Sequence, residues 1–220
     1  MFRILVVFAH PIVEIEKSNS LIVAWHFIEK VRELEPTAAI EKFELYGNDI
    51  PVVDDLVLGA WDKKAKGEDL NEDEQKVLTR MNHLLDNFKW ANRYVFVFPL
   101  YNFNIPSKLK DYLDNVLIAK ETFAYGDDGP VGLLNDGRKV LVIQSSDAVY
   151  SKPGWYADHE FSHKYMKMIS SFVGIEDYTI VRAEGGGVYD REVILKRAKE
   201  EVEAVAKDFV APPAPVTAPI

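Results

Sequence analysis

The sequence predicts a single α/β domain on a doubly wound, five-stranded parallel sheet, and three observations carry that prediction. Strand and helix patterns alternate five times along the 220 residues. Three of the strand segments are unbroken apolar runs, as parallel strands buried on both faces must be. Short polar and aromatic residues collect where strands end and helices begin, the places where open α/β sheets hold ligands.

The first strand falls at 3–8, where Ile4 to Phe8 is continuously apolar, and the helix after it at 18–34 opens on Ser18-Asn19-Ser20. A second strand at 39–45 is interrupted by Glu41, Lys42 and Glu44. Segment 46–71, with Trp61 and a charge run, is expected as a long loop. In the helix at 72–90, Val77, Leu78, Met81, Leu84, Leu85 and Phe88 recur at helical spacing. The third strand, 93–98, leads through Pro99-Leu100-Tyr101-Asn102-Phe103-Asn104-Ile105-Pro106 into an amphipathic helix at 106–118. A second long loop is expected at 119–138, then a strand at 139–145, a helix at 158–173, a strand at 177–183 carrying Thr179 and Arg182, and a helix at 190–209. The two strands broken by polar residues belong at the edges, which gives the order 2-1-3-4-5. The domain is expected to span 1–210. The Ala/Pro-rich tail, 211–220, reads as a polyproline-like segment suited to docking on an aromatic-lined groove.

A hydrophobic content of 48% over this length supplies one full core without metal or disulfide staples. The net charge of -9, with no basic run, argues against nucleic acid, whose binders draw affinity from clustered Lys and Arg. With no cysteine, disulfides and thiolate catalysis are excluded, in keeping with a reducing cytoplasm. The apolar start is far shorter than the roughly 20 residues of a spanning helix, so no membrane partner is expected and the protein is read as cytoplasmic.

Three turns carry the chemistry. Ser18 and Ser20 at a helix start, just beyond His10, suit a phosphate held on free backbone N–H groups, with ordinary N-capping as the plainer reading. Pro99 to Phe103, with an amide and two aromatics, suits a flat ring, for which a flavin is the expectation. Gln144 to Tyr150, containing Ser145, Ser146, Asp147 and Ala148, should lie beside that turn and offer amides to a ring edge. No Gly-x-Gly-x-x-Gly follows the first strand, which disfavours a Rossmann dinucleotide site. His10-Pro11 and Pro99-Leu100 stand where a receiver domain needs acidic residues. Gly185-Gly186-Gly187 reads as a turn first and a ligand loop second. A competing motif, His159-Glu160-Phe161-Ser162-His163, spells H-E-x-x-H on the expected helix, with Glu184 as a third zinc ligand. The apolar stripe of that helix leaves both histidines on its flank, which weighs against zinc, and no metal is expected.

With these turns placed, the chain resembles the FMN-dependent NADH-azoreductases and related NAD(P)H quinone reductases of flavodoxin-like fold. The resemblance covers about residues 1–209, and its most specific part is Pro99 to Ile105, similar to the pattern P-[ML]-[YW]-N-[FL]-N-[IV]. Thr122-Phe123 with Gly129-Pro130, Gln144-Ser145, Phe172-Val173-Gly174 and Ala183-Glu184-Gly185 support it. It implies a homodimer with one FMN per subunit, reduced by NADH or NADPH and reducing quinone or azo acceptors in ping-pong fashion. It also implies cofactor contacts from His10, Ser18, Ser20, Pro99 to Phe103 and Ser145 to Ala148, and acceptor contacts from Phe123, Tyr125 and Tyr150. No catalytic acid or base is assigned. The chain departs from the family at Glu16-Lys17-Ser18, where several Ser are usual, and at Asp147-Ala148, where Gly-Gly is usual. A one-electron carrier of the flavodoxin kind is the alternative, but the long loops favour a covered pocket for two-electron reduction.

Overall fold

Unbroken runs of β-branched and aromatic residues form the central strands, and amphipathic helices cover them. In the computed structural model, which describes residues 1–12 and 14–211, the elements in chain order are β1 (Arg3–Phe8), α1 (Asn19–Leu34), β2 (Ala39–Glu44), α2 (Asp55–Lys66), α3 (Glu72–Trp90), β3 (Arg93–Pro99), α4 (Ser107–Val116), β4 (Phe123–Gly126), β5 (Gly129–Gly132), β6 (Lys139–Ser146), α5 (Trp155–Asp158), α6 (Phe161–Phe172), β7 (Asp177–Glu184) and α7 (Arg191–Phe209). The expected tail lies outside the described residues beyond Ala211.

The main sheet runs β2-β1-β3-β6-β7, every pair parallel. It is the order expected for five strands, with a two-stranded antiparallel hairpin, β4-β5, inserted between the third and fourth of them. β1, β3 and β6 are buried along nearly their whole length, whereas β2 is half-buried or exposed throughout. The alternation of side chains along β1 divides the interior. Leu5 and Val7 join Leu84 and Phe88 of α3, Leu109 and Leu113 of α4 and Met166 of α6 in one apolar cluster. Ile4, Val6 and Phe8 join Phe27 and Ile28 of α1 and Ala198 and Val202 of α7 in another.

Both expected loops contain regular structure. Within 46–71, α2 is capped by Asp54, which accepts from Val57 N at 3.1 Å, and closed by Gly67 at φ 73°. Its buried residues Val57 and Ala60 meet Leu78 and Met81 of α3 in a small cluster of their own. Within 119–138, the hairpin packs on the turn after α6, where Leu134 N donates to Val173 O at 2.8 Å. The helix expected at 158–173 is α6, which starts at Phe161, and a separate short helix, α5, ends at Asp158 before it.

Candidate functional site

The carboxyl ends of β1, β3 and β6 meet at a cavity of about 290 Å³, lined by the first turn (His10, Ile12, Lys17, Ser18, Asn19), the third (Pro99, Leu100, Tyr101), the fourth (Ser145, Ser146, Asp147) and Gly186. Parallel register brings them together: Ala9 N donates to Val97 O and Leu100 N to Ser145 O, both at 2.8 Å.

Ser18 stands at the N-cap of α1, yet its hydroxyl makes no capping bond; it lies 3.1 Å from Ser20 Oγ instead. The free N–H groups of this helix start are therefore left for a ligand, in the place where a helix favours negative charge. Ser20, fully buried, does not line the cavity; it receives a hydrogen bond from Ser145 Oγ at 3.2 Å and so joins the first turn to the fourth. The ammonium of Lys17 reaches Glu14 at 3.0 Å, and Arg191 at the start of α7 donates to Asn19 Oδ1 at 2.8 Å. His10 is buried, and burial pulls its pKa below the ordinary histidine value against a smaller opposing effect from its hydrogen bond with Ile12. Its Nδ1 lies 3.0 Å from Ile12 N and 3.1 Å from Ile12 O.

The third turn is a tight reversal: Tyr101 N bonds Asn104 O at 3.0 Å and Asn104 N bonds Tyr101 O at 2.9 Å. Asn102 and Phe103 between them hold φ 47° and 67°. Asn tolerates this region, but for a bulky residue such as Phe it is strained, at a cost of about 1–3 kcal/mol. The strain is held in place by two contacts: Phe161 N donates to Phe103 O at 2.8 Å, and the Phe103 ring meets Trp155 edge-on at 5.6 Å. Tyr101 lines the cavity, while Asn102 and Phe103 shape the turn without lining it.

In the fourth turn Ser146 Oγ donates to Ala148 O at 2.9 Å, and Ala148 does not line the cavity. Asp147 and Ala148 both keep negative φ, so this turn does not require glycine's left-handed freedom. The residues expected on the acceptor side lie further out. Phe123 is buried, packed on Phe172 at 4.6 Å and Tyr125 at 5.5 Å; Tyr125 is 78% exposed on the hairpin; Tyr150 is buried, edge-on to Tyr156 at 5.5 Å. Ile12, Lys17, Asn19 and Gly186 line the cavity beyond the residues singled out from sequence. The signal for Asn19 was its place between two serines, and for Gly186 its place in the triple glycine.

The H-E-x-x-H segment does not form one helical face, because Glu160 is the N-cap of α6 and His159 precedes it. His159 Nδ1 lies 2.6 Å from Trp155 O and its ring stacks on Trp155 at 4.3 Å, whereas His163 Nδ1 lies 3.2 Å from Tyr178 OH. The buried Glu160 carboxylate accepts from His163 N at 2.8 Å, Gln144 Nε2 at 3.3 Å, Arg182 Nη2 at 3.1 Å and Ser162 Oγ. Burial pushes its pKa up, but these hydrogen bonds outweigh burial and hold it below the usual carboxylate range. Glu184 likewise accepts from Tyr150 N at 2.6 Å and Ser151 N at 3.0 Å.

A parallel sheet in this order, with its cavity at the strand ends beside a hydroxyl-bearing helix start, defines the flavodoxin-like class. A family model described as a flavodoxin-like fold matches residues 2–206. The chain is 50% identical over 207 residues to FMN-dependent NADH:quinone oxidoreductase 1 of Bacillus cereus (strain ZK / E33L), covering 94% of this chain and 97% of the relative. It is 38% identical over 211 residues to the FMN-dependent NADH:quinone oxidoreductase of Staphylococcus aureus (strain JH9), covering 95% and 100%. Among solved structures, an FMN-dependent NADH-azoreductase from Bacillus anthracis str. Ames Ancestor, in complex with FMN, superposes with a TM-score of 0.93 at 49% identity, covering 96% of this chain and 100% of that one. The chain belongs to the family of the FMN-dependent NADH:quinone oxidoreductases and NADH-azoreductases.

Proposed function

We propose that this protein is an FMN-dependent oxidoreductase that uses NADH to reduce quinones and azo compounds. The observation that carries the reading is the Ser18 hydroxyl, which stands at a helix start without capping it, inside a cavity whose far wall is the third turn. A hydroxyl that makes no capping bond, beside free helix amides, fits a phosphate, and a wall of Pro99, Leu100 and Tyr101 fits a flat ring. The B. anthracis protein similar to this chain over nearly its whole length carries FMN.

FMN, when bound, supplies the hydride chemistry, taking two electrons from a nicotinamide and passing them to an acceptor. The chain supplies position, charge and water exclusion. Ser18, aided by Ser20 behind it, holds the phosphate beside His10. Pro99, Leu100 and Tyr101 flank the ring on a turn fixed by Asn102 and Phe103, and Ser145, Ser146 and Asp147 bound its polar edge, with Ala148 behind them accepting from Ser146. Phe123, Tyr125 and Tyr150 belong to the acceptor side. No side chain is assigned as acid or base.

The reading includes a doubly wound sheet, supported by the two apolar clusters divided by β1, and a homodimer. A second copy would cover the exposed apolar side chains Val131, Phe161 and Met168, which border or adjoin an open groove of about 720 Å³ between the hairpin and α6. No helix among the described residues is long and apolar enough to cross a membrane. A cytoplasmic location suits a chain without cysteine.

The test is direct. Protein purified in the dark and heat-denatured should release FMN in a near 1:1 ratio, and the holoprotein should oxidise NADH with a quinone or azo dye. Double-reciprocal plots at several acceptor concentrations should be parallel, since reductant and acceptor take turns at one cavity. A preparation that neither contains FMN nor binds it when added would overturn the reading.

A further inference from the structure

Asp147 is the only carboxylate among the described residues lining the cavity, and it is exposed there rather than turned into the protein. The turn after β7 is built around it. Gly185 N and Gly186 N donate to Ser146 O at 2.9 and 3.1 Å, and Gly187 N donates to Asp147 O at 3.0 Å. A Cβ placed on Gly186 would stand 2.8 Å from Asp147 Oδ1, and one on Gly187 would stand 3.5 Å from Asp147 O. The glycines thus leave room for the carboxylate at the wall that Gly186 and Asp147 share. Lys17, the cationic residue of the lining, lies 3.0 Å from Glu14, and burial lowers the pKa of His10.

We propose that Asp147 is a positioning residue for charge: it sets the reduction potential of the bound cofactor by opposing the negative charge gained on reduction. The inference rests on the proposed function, in which FMN occupies this cavity. Uptake of a hydride, two electrons and one proton, by a neutral ring adds one negative charge. A carboxylate at the wall interacts unfavourably with that charge and leaves the neutral oxidised ring little affected. The consequence, relative to the same cavity without the charge, is a lower potential, a smaller ratio of affinity for reduced over oxidised FMN, and a stronger drive toward the acceptor.

The experiment is a spectroelectrochemical titration of the full-length holoprotein and of Asp147→Asn and Asp147→Ala. Asn keeps the size beside Gly186 while removing the charge; Ala removes both. Both variants should titrate at higher potential, by about 30 mV for each tenfold gain in affinity for reduced over oxidised FMN. The wild-type potential should also rise with added salt, which screens the carboxylate, more than either variant's. Retained FMN with an unchanged or lowered potential in both variants would overturn the inference and leave the proposed function standing. Failure of the wild type to take up FMN would overturn both.

Discussion

The backbone amide of Phe161 donates to the carbonyl of Phe103 across 2.8 Å, tying the first residue of α6 to a turn that holds a phenylalanine at φ 67°. The cavity wall therefore depends on whatever fixes the start of α6, and that is the carboxylate of Glu160. Its partners come from three elements: Gln144 of β6, Arg182 of β7 and Ser162 with His163 of α6.

Glu160→Ala should accordingly be severe. It strips the largely buried Arg182 of its partner and a helix of its cap, and removal of one member of a buried pair costs about 3–5 kcal/mol. Urea denaturation followed by circular dichroism should show a loss of about 3 kcal/mol, with weaker FMN binding in conditions where the variant is still folded. Glu160→Gln, which can still accept from His163 N, should lose less. A Glu160→Ala variant as stable as the wild type would show that the network contributes nothing.

How much of this was legible in the sequence follows from what each signal measures. Continuous apolar runs located the strands, and polar residues in β2 and β7 placed them at the edges, because burial on two faces leaves no freedom in residue type. The eight lining residues singled out beforehand, from His10 to Asp147, came from strand-end positions that topology alone brings together. α2 was missed because it buries only Val57 and Ala60, too few to mark a periodic stripe, though Asp54 and Gly67 were its cap signals. The hairpin was missed because Gly126 to Gly132 reads as loop when its partner surface, the turn at Val173, is distant in sequence. Glu160 was legible as part of a zinc motif but not as an N-cap, since Ser, Thr, Asp and Asn are the usual caps and its further partners, Arg182 and Gln144, meet it only in the tertiary structure.

Two histidines give the protein a pH signature. Burial lowers the pKa of His10, and burial with the nearby Arg182 lowers that of His163. A histidine whose folded pKa lies below its unfolded value of about 6.5 takes up its proton more readily when unfolded. Its contribution to stability is therefore complete above pH 6.5 and declines as the pH falls toward the folded pKa. Chemical denaturation at pH 7.5 and 5.5 should show lower stability at the acid end, and His10→Asn with His163→Gln should flatten that slope. Equal slopes in wild type and double variant would remove these histidines as its cause.

Two glycines should respond oppositely to alanine. At Gly132 a Cβ would meet Gly174 N at 2.1 Å and Val173 C at 2.2 Å, both backbone atoms that cannot swing aside. The hairpin must shift, at a cost of about 1–3 kcal/mol, and each kcal/mol lowers the melting temperature by about 2–4 °C at this length. Gly59, within α2, has nothing within 4 Å of its Cβ position, so Gly59→Ala should gain about 0.5–1 kcal/mol through helix propensity. Calorimetry distinguishes the two, and a neutral Gly132→Ala would mean the hairpin is free to move off the turn.

The Ser18 hydroxyl bears most directly on the proposed cofactor. It lies 3.1 Å from Ser20 Oγ and makes no capping bond, so Ser18→Ala removes little from the helix. Stability should change by less than the roughly 1 kcal/mol that loss of a true N-cap costs. Affinity for FMN should fall by about 0.5–1.5 kcal/mol, the net worth of one hydrogen bond, which is roughly a twofold to tenfold rise in Kd. Riboflavin, which has the same ring and no phosphate, should bind wild type and variant alike. Fluorescence titration with both ligands makes the comparison. An equal loss for riboflavin and FMN would move Ser18 away from the phosphate, and a large loss of stability without loss of affinity would make it a cap after all.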